Sequence, residues 1–326
     1  MRPFINKLLT NVLQGCKPSY ADIADIVPLL ETELLEIMAA AKIAASHACV
    51  KPFTCGIINA KSGLCGENCA FCAQSVHSTT HAGKYPLLPE SEVLARADFL
   101  AQRNVDYMGI VVSGGSPGEK DLDAICGMAE KIRRSVGIKL CASLGMLDEK
   151  KARMVRSAGF TSYHHNLETS RSYYPAICTS HEYNVREQTV RVAKTAGLRV
   201  CSGGIFGLGE TWRHRFEMSL ALAALDVDSI PINFLTPIEG TPLGRASGPT
   251  PREALSIISL FRLMHPERDL VVCGGRERSL GNCMPLLFSA GANGIMVGDY
   301  LTVKGSAIDI DIDIMQTLGL ARTEKR

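Results

Sequence analysis

The chain has 326 residues, 46% of them hydrophobic and 21% charged, with a net charge of +2. That balance carries no electrostatic footprint for nucleic acid or an anionic membrane surface, and no run reaches the roughly 18 apolar residues of a membrane helix. Twelve cysteines, behind an N-terminus without an apolar signal core, point to metal or redox chemistry in a reducing, cytoplasmic compartment rather than to a disulfide scaffold.

Residues 20–48 are apolar at helical spacing and rich in Ala, Leu and Glu, which predicts helices and an N-terminal helical extension over residues 1–50. From residue 54 the pattern changes to short apolar runs alternating with longer amphipathic segments. The strand candidates in chain order are 54–60, 107–114, 138–144, 161–168, 198–205, 229–235, 269–275 and 294–300. Glycine marks several helix-to-strand returns, as in "SVGIKLC", "SAGFTSY" and "TAGLRVC", where a helix C-terminal cap at positive φ suits it. Eight strands alternating with helices predict a (β/α)8 TIM-type barrel over residues 51–320, followed by a polar tail at 321–326. A doubly wound open sheet is the competing architecture.

The chemistry concentrates in "KSGLCGENCAFCAQS", where Cys65, Cys69 and Cys72 form a C-x3-C-x2-C array after the first strand candidate. Loops leaving barrel strands at their C-terminal ends build active sites. Three thiolates hold three irons of a 4Fe–4S cluster and leave the fourth for another ligand; the alternative is a zinc site completed by His77 or His81. The spacing fits neither the C-x2-C pairs of zinc ribbons nor the four-cysteine runs of ferredoxins.

The array resembles the signature of the radical S-adenosylmethionine (SAM) enzymes, in which SAM occupies the open iron and is cleaved to a 5′-deoxyadenosyl radical. Four further stretches follow in order: "YHHNLETS", "VCSGGIFGLGET", "PINFLTPIEGTPL" and "GGRE". With the "CAQS" of the loop they resemble the biotin synthase family, in which sulfur from a second iron–sulfur cluster is inserted into dethiobiotin. The resemblance implies Phe71 near the adenine, Ser113, Gly114 and Gly115 cradling the methionine amino group, and Arg186 pairing with the SAM carboxylate. It also implies Asn166 near both SAM and dethiobiotin, and Asn233 on the ureido ring. Glu168 stands where the family has aspartate, and His164 where it has a ureido-binding asparagine. A flavodoxin- or ferredoxin-type one-electron donor and a homodimer are implied in the same way.

The second cluster departs from the family pattern. A 2Fe–2S cluster held by three cysteines and an arginine is usual there. Cys141 and Cys201 match two of the ligands, whereas the expected cysteine falls at Gly109 and the expected arginine at Val271. Cys273 lies two residues beyond Val271, on the same face of a strand, and Cys55 lies in the first strand candidate. Cys55, Cys141, Cys201 and Cys273 thus fall on the first, third, fifth and seventh strands, and alternate strands contribute one layer of a barrel interior. One thiolate-lined layer supporting a four-cysteine, 4Fe-type cluster is the expectation; four cysteines packed as small hydrophobes is the alternative. Cys126 and Cys283 read as packing residues, and Cys16, Cys49 and Cys178 remain unassigned. The rival functions are another biotin-synthase-like radical enzyme (a mutase, a maturase or a different sulfur inserter) and a non-catalytic iron–sulfur carrier or zinc-binding module.

Overall fold

The structure, a computed structural model, describes residues 1–320; the polar tail expected at 321–326 lies outside the described residues. Nine parallel strand segments close into a barrel: β1 (Phe53–Lys61), β2 (Tyr107–Val112), β3 (Lys139–Ser143), β4 (Ser162–His164), β5 (Arg199–Cys201), β6 (Gly204–Phe206), β7 (Ser229–Phe234), β8 (Asp269–Val272) and β9 (Gly294–Met296). The hydrogen-bonded order runs from β5 through β4, β3, β2, β1, β9, β8 and β7 to β6, and pairing of β5 with β7 closes the ring. The open-sheet alternative is thereby excluded. The fifth strand candidate is split into β5 and β6 around Ser202 and Gly203. A side chain on Gly203 would lie 2.1 Å from the Pro231 carbonyl, and one on Gly204 2.3 Å from that of Glu168. Glycine is what lets three backbones meet there.

The fourth strand candidate is also shorter than its sequence pattern. β4 ends at His164, and Glu168 has a φ of +70°, a left-handed conformation that ends extended pairing. The glycine caps divide likewise. Gly159 and Gly197 have φ values of +103° and +80°, but the helix Glu119–Ser135 passes into extended backbone at Val136, so Gly137 does not take positive φ.

Three helices precede the barrel: Pro3–Leu13, Tyr20–Ile26 and Leu34–His47. The first falls within the helical extension expected over residues 1–50, and its stripe of Ile5, Leu8, Leu9 and Val12 is buried. That stripe joins Ile37 and Ala41 against Leu260 and Leu263 of the outer helix Pro251–Met264. The extension therefore packs outside the ring of barrel helices.

Strand periodicity decides what faces the axis. In β2, Met108 and Ile110 are buried against the outer helices, while Tyr107, Gly109 and Val111 line the interior. In β1 the interior residues include Phe53, Cys55 and Ile57, and in β3 they are Cys141 and Ser143. Barrels of this class are ordinarily filled by layers of bulky branched side chains. Here Gly109, Ser143, Ser229 and the cysteines are too small to fill the axis, and a cavity of about 460 Å³ runs inside it.

Candidate active site

The loop after β1 is shaped by its own hydrogen bonds. The Gln74 side-chain oxygen accepts from the Ser62 hydroxyl and the Gly63 N–H, both at 3.1 Å. The Cys65 N–H donates to the Gln74 carbonyl, the Cys72 N–H to the Cys69 carbonyl, and the Ser75 hydroxyl to the Glu67 carbonyl. Cys65, Cys69 and Cys72 consequently face one cavity together with Phe71. The candidate zinc ligand His77 instead sets its Nε2 3.2 Å from the Gly66 carbonyl. Among the described residues no three His, Cys, Asp or Glu side chains are gathered as for a single metal ion. Three thiols on one loop facing an open cavity suit a cluster that takes its remaining ligand from outside.

A second segment, 177–181, is fastened onto this loop. The Asn68 carboxamide accepts from the Thr179 and Ser180 N–H groups at 2.9 and 3.0 Å, and Glu67 pairs with His181 Nδ1 at 2.7 Å. The arrangement brings Cys178 Sγ to 3.8 Å from Cys69 Sγ. Sequence reasoning left Cys178 unassigned, because more than a hundred residues separate the pair and no local spacing connects them. Burial pushes the Cys69 and Cys72 thiols above their ordinary value. Both would therefore be neutral without a cationic partner, and binding a metal centre would require their deprotonation.

Arg186 lies in the helix Tyr183–Thr195 and is only 8% exposed. Its Nε donates to the Tyr174 hydroxyl at 2.6 Å and its Nη1 to the Asn166 carbonyl at 3.0 Å. Nη1 also lies 3.6 Å from Glu168 Oε1, and Nη2 lies 3.9 Å from Cys69 Sγ. Burial works against this charge, but Glu168 and Tyr174 outweigh it and hold the guanidinium above its usual value. Burial also lifts the Glu168 carboxyl, with Arg186 and the Asn166 amide pulling the other way. Asn166 donates to Glu168 Oε2 at 3.3 Å and accepts from the Gly203 N–H at 3.2 Å.

Ser113, Gly114 and Gly115 line the same cavity from the end of β2. Gly114 has a φ of +122°, and a side chain on the facing Gly145 would strike the Gly115 carbonyl at 2.6 Å. Bare backbone here forms a cradle that a Cβ would fill.

Deeper in the barrel, His164 Nδ1 is 3.2 Å from the Ser143 hydroxyl, and burial pushes its pKa down to about 4. Asn233 Nδ2 donates to the Gly204 carbonyl at 3.1 Å, and its Oδ1 accepts from the Gly274 N–H at 3.2 Å. One N–H and one lone pair remain free on that amide.

Below them Cys55, Cys141, Cys201 and Cys273 all line the cavity. Cys273 sits one residue past the end of β8 and shares its inward face with Val271. Hydrogen bonding to Cys55, followed by burial, holds the Cys273 thiol well above its ordinary value. Burial and then the charges of Cys201 and Cys55 do the same to Cys141. Burial pushes Cys201 up to about 12, with Cys55 adding to it. Cys141, Cys201 and Cys273 are thus held neutral in one cavity with Cys55, and only a strongly cationic centre would ionise them. The donor chemistry thus fits an iron–sulfur cluster. Cys126 and Cys283 are half-buried against the outer core, as packing residues.

Known proteins agree with this geometry. Residues 61–222 match the radical SAM superfamily and residues 231–321 the Biotin and Thiamin Synthesis associated domain. A biotin synthase of Nitratidesulfovibrio vulgaris is 50% identical over 306 residues, covering 90% of this chain and 84% of its own. The chain belongs to the biotin synthase family. A biotin synthase of Geobacter sulfurreducens is 53% identical over 82% of this chain and 81% of its own. That of Citrifermentans bemidjiense is 43% identical over 98% of both chains. As a member of this family the chain is a radical SAM enzyme that transfers sulfur, and family membership implies a SAM-binding 4Fe–4S cluster and dethiobiotin as substrate. Among solved structures, methylornithine synthase superposes with a TM-score of 0.84 at 19% identity over 97% of both chains. The FeFe-hydrogenase maturase of Carboxydothermus hydrogenoformans gives 0.80 at 14% identity, over 97% of this chain and 78% of its own. At those identities the likeness concerns the fold. Among the described residues no helix is long and apolar enough to cross a membrane.

Proposed function

We propose that the chain forms biotin from dethiobiotin with two iron–sulfur clusters on separate cysteine sets: Cys65, Cys69 and Cys72 at the mouth, and Cys55, Cys141, Cys201 and Cys273 within the barrel. When bound, the first cluster supplies the electron that cleaves SAM to a hydrogen-abstracting 5′-deoxyadenosyl radical, and the second supplies sulfur. The observation that carries this reading is that one cavity is lined by both cysteine sets together with Asn166, His164 and Asn233.

Each polar residue has a task that follows from its chemistry. The backbone of Ser113, Gly114 and Gly115 admits the methionine end of SAM at close range, and Arg186 offers a fixed positive charge to its carboxylate. Phe71 gives an apolar face to the adenine. Glu168 and Asn166 stand at the ribose, between SAM and substrate. His164 is neutral near pH 7, so it meets the ureido group as a hydrogen-bonding partner rather than a cation, and Asn233 meets it with its free N–H and lone pair. An all-thiolate set in place of three cysteines and an arginine supports a 4Fe-type cluster carrying a sulfide for donation. A small flavodoxin- or ferredoxin-type protein as electron donor, and a homodimeric assembly, complete the proposal.

The test is anaerobic incubation of the reconstituted protein with SAM, a reductant and dethiobiotin, followed by mass spectrometry. Biotin together with 5′-deoxyadenosine is expected. Deoxyadenosine without biotin would move the substrate elsewhere, and neither product would reduce the chain to a cluster carrier.

A further inference from the structure

The cavity does not end at the four cysteines. Its lining continues to the first residues of six strand segments: Phe53, Tyr107, Ser162, Arg199, Ser229 and Asp269. These mark the N-terminal face of the barrel, opposite the mouth where SAM and substrate enter. The register puts that rim close to the sulfurs, since Cys55 pairs with Tyr107, Cys141 with Ser162, and Cys201 with Ser229. Across the opening, Arg199 Nη2 reaches Asp269 Oδ2 at 2.9 Å and Nη1 reaches the Tyr107 hydroxyl at 3.5 Å. The Arg199 side chain is 47% exposed, so this bar lies at the surface and not in the core. A pair this accessible to water is weak and exchanges readily with solvent. The N-terminal helices, which could have covered this face, pack instead on the outer helices.

We infer that the N-terminal face of the barrel is a second entrance, barred by the Arg199 side chain, through which hydrosulfide reaches the cluster held by Cys55, Cys141, Cys201 and Cys273. The inference rests on the proposed function. If each biotin carries away one sulfur from this cluster, atom balance requires inorganic sulfide to return. Whenever SAM and dethiobiotin fill the C-terminal mouth, the opposite opening is the route left to a small anion. Hydrosulfide is small enough for a gap guarded by one flexible side chain, and the guanidinium offers an anion a hydrogen-bonding partner on the way. In the entry step an iron–sulfur bond forms, the proton of hydrosulfide passes to water, and no electron moves. In the resting enzyme the same path allows exchange, one sulfide entering as another leaves.

Exchange is therefore the experiment. Holoenzyme carrying both clusters is incubated anaerobically with sodium sulfide enriched in sulfur-34, in the presence of unreduced SAM and dethiobiotin, and is then desalted. Isotope in the acid-labile sulfide is measured, and isotope in biotin is measured after one reductive turnover. Arg199→Ala is expected to load label several-fold faster than wild type, and Arg199→Trp several-fold slower, with iron content and first-turnover yield the same in all three. Equal exchange in the three proteins would overturn the entrance, as would exchange that SAM and dethiobiotin suppress, because sulfide would then be using the mouth. Protein carrying only the iron of the first cluster would overturn the four-thiolate reading itself and the entrance with it.

Discussion

The two cysteine sets are built by opposite strategies. Cys65, Cys69 and Cys72 sit on one short loop whose turns are closed by local hydrogen bonds, notably the Cys72 N–H to the Cys69 carbonyl. Cys55, Cys141 and Cys201 lie on β1, β3 and β5, with Cys273 just beyond β8, and they meet only because the barrel closes. The first set lines the cavity on the loop after β1, where, on the proposed function, an incoming ligand completes it. The second lies among the strands and, on the proposed function, needs no ligand from outside. A loop-borne triad therefore suits a centre that must bind and release SAM, and a strand-borne ring suits one that gives up and regains sulfur without losing its place.

Breaking the first set should have the largest effect. Cys69→Ala is expected to reduce 5′-deoxyadenosine formation to background while sparing the signal of the strand-borne cluster, as read by chromatography and Mössbauer spectroscopy on the same sample. Loss of both signals together would mean that the two sets are not independent.

Arg186 tests the packing beneath the triad. Arg186→Ala leaves Glu168 buried beside Asn166 without its charge partner, a change that typically costs about 3–5 kcal/mol. Thermal unfolding should occur several degrees lower, with weaker SAM binding measured by calorimetry. Arg186→Lys retains the charge but loses the planar fork that reaches both Tyr174 and the Asn166 carbonyl, and should fall between alanine and wild type. Unchanged stability in the alanine variant would show that the pair does not brace the site.

The smallest effect concerns neither set and separates fold from clusters. His265 bonds the Ser219 hydroxyl at 2.7 Å, and burial lowers its pKa to about 3. The folded chain keeps it neutral while the unfolded chain protonates it below pH ~6.5. Its contribution is therefore whole above that value and falls as the pH drops toward about 3, by about 2 kcal/mol between pH 7 and pH 5. His265→Gln should flatten that part of the pH–stability curve in chemical denaturation. An unaltered slope would assign the acid sensitivity to other groups.

What the sequence revealed depended on the range of the interaction. The triad was readable because eight consecutive residues define it. That Cys55, Cys141, Cys201 and Cys273 all line the cavity was readable because strand alternation and barrel layering convert sequence position into direction. Contacts between distant loops carried no such signal, so the approach of Cys178 to Cys69 and the Glu67–His181 pair emerged only with the fold. Arg186 could be named by resemblance, but its burial against Tyr174 is a tertiary fact. The break between β5 and β6 and the early end of β4 were hidden for a related reason. Both arise where backbones crowd at Gly203, Gly204 and Glu168, and apolar patterning does not register crowding. Gly137 shows the converse, since a glycine after a helix offers a left-handed cap without obliging the chain to use one.

The central claim is that four strand-borne thiolates hold the second cluster. Iron and sulfide counts with Mössbauer spectra on anaerobically purified wild type, Cys55→Ala and Cys273→Ala test it most directly. The account predicts that each variant keeps the loop-borne cluster and loses most of the second. A second cluster present at the wild-type level in both variants would contradict it.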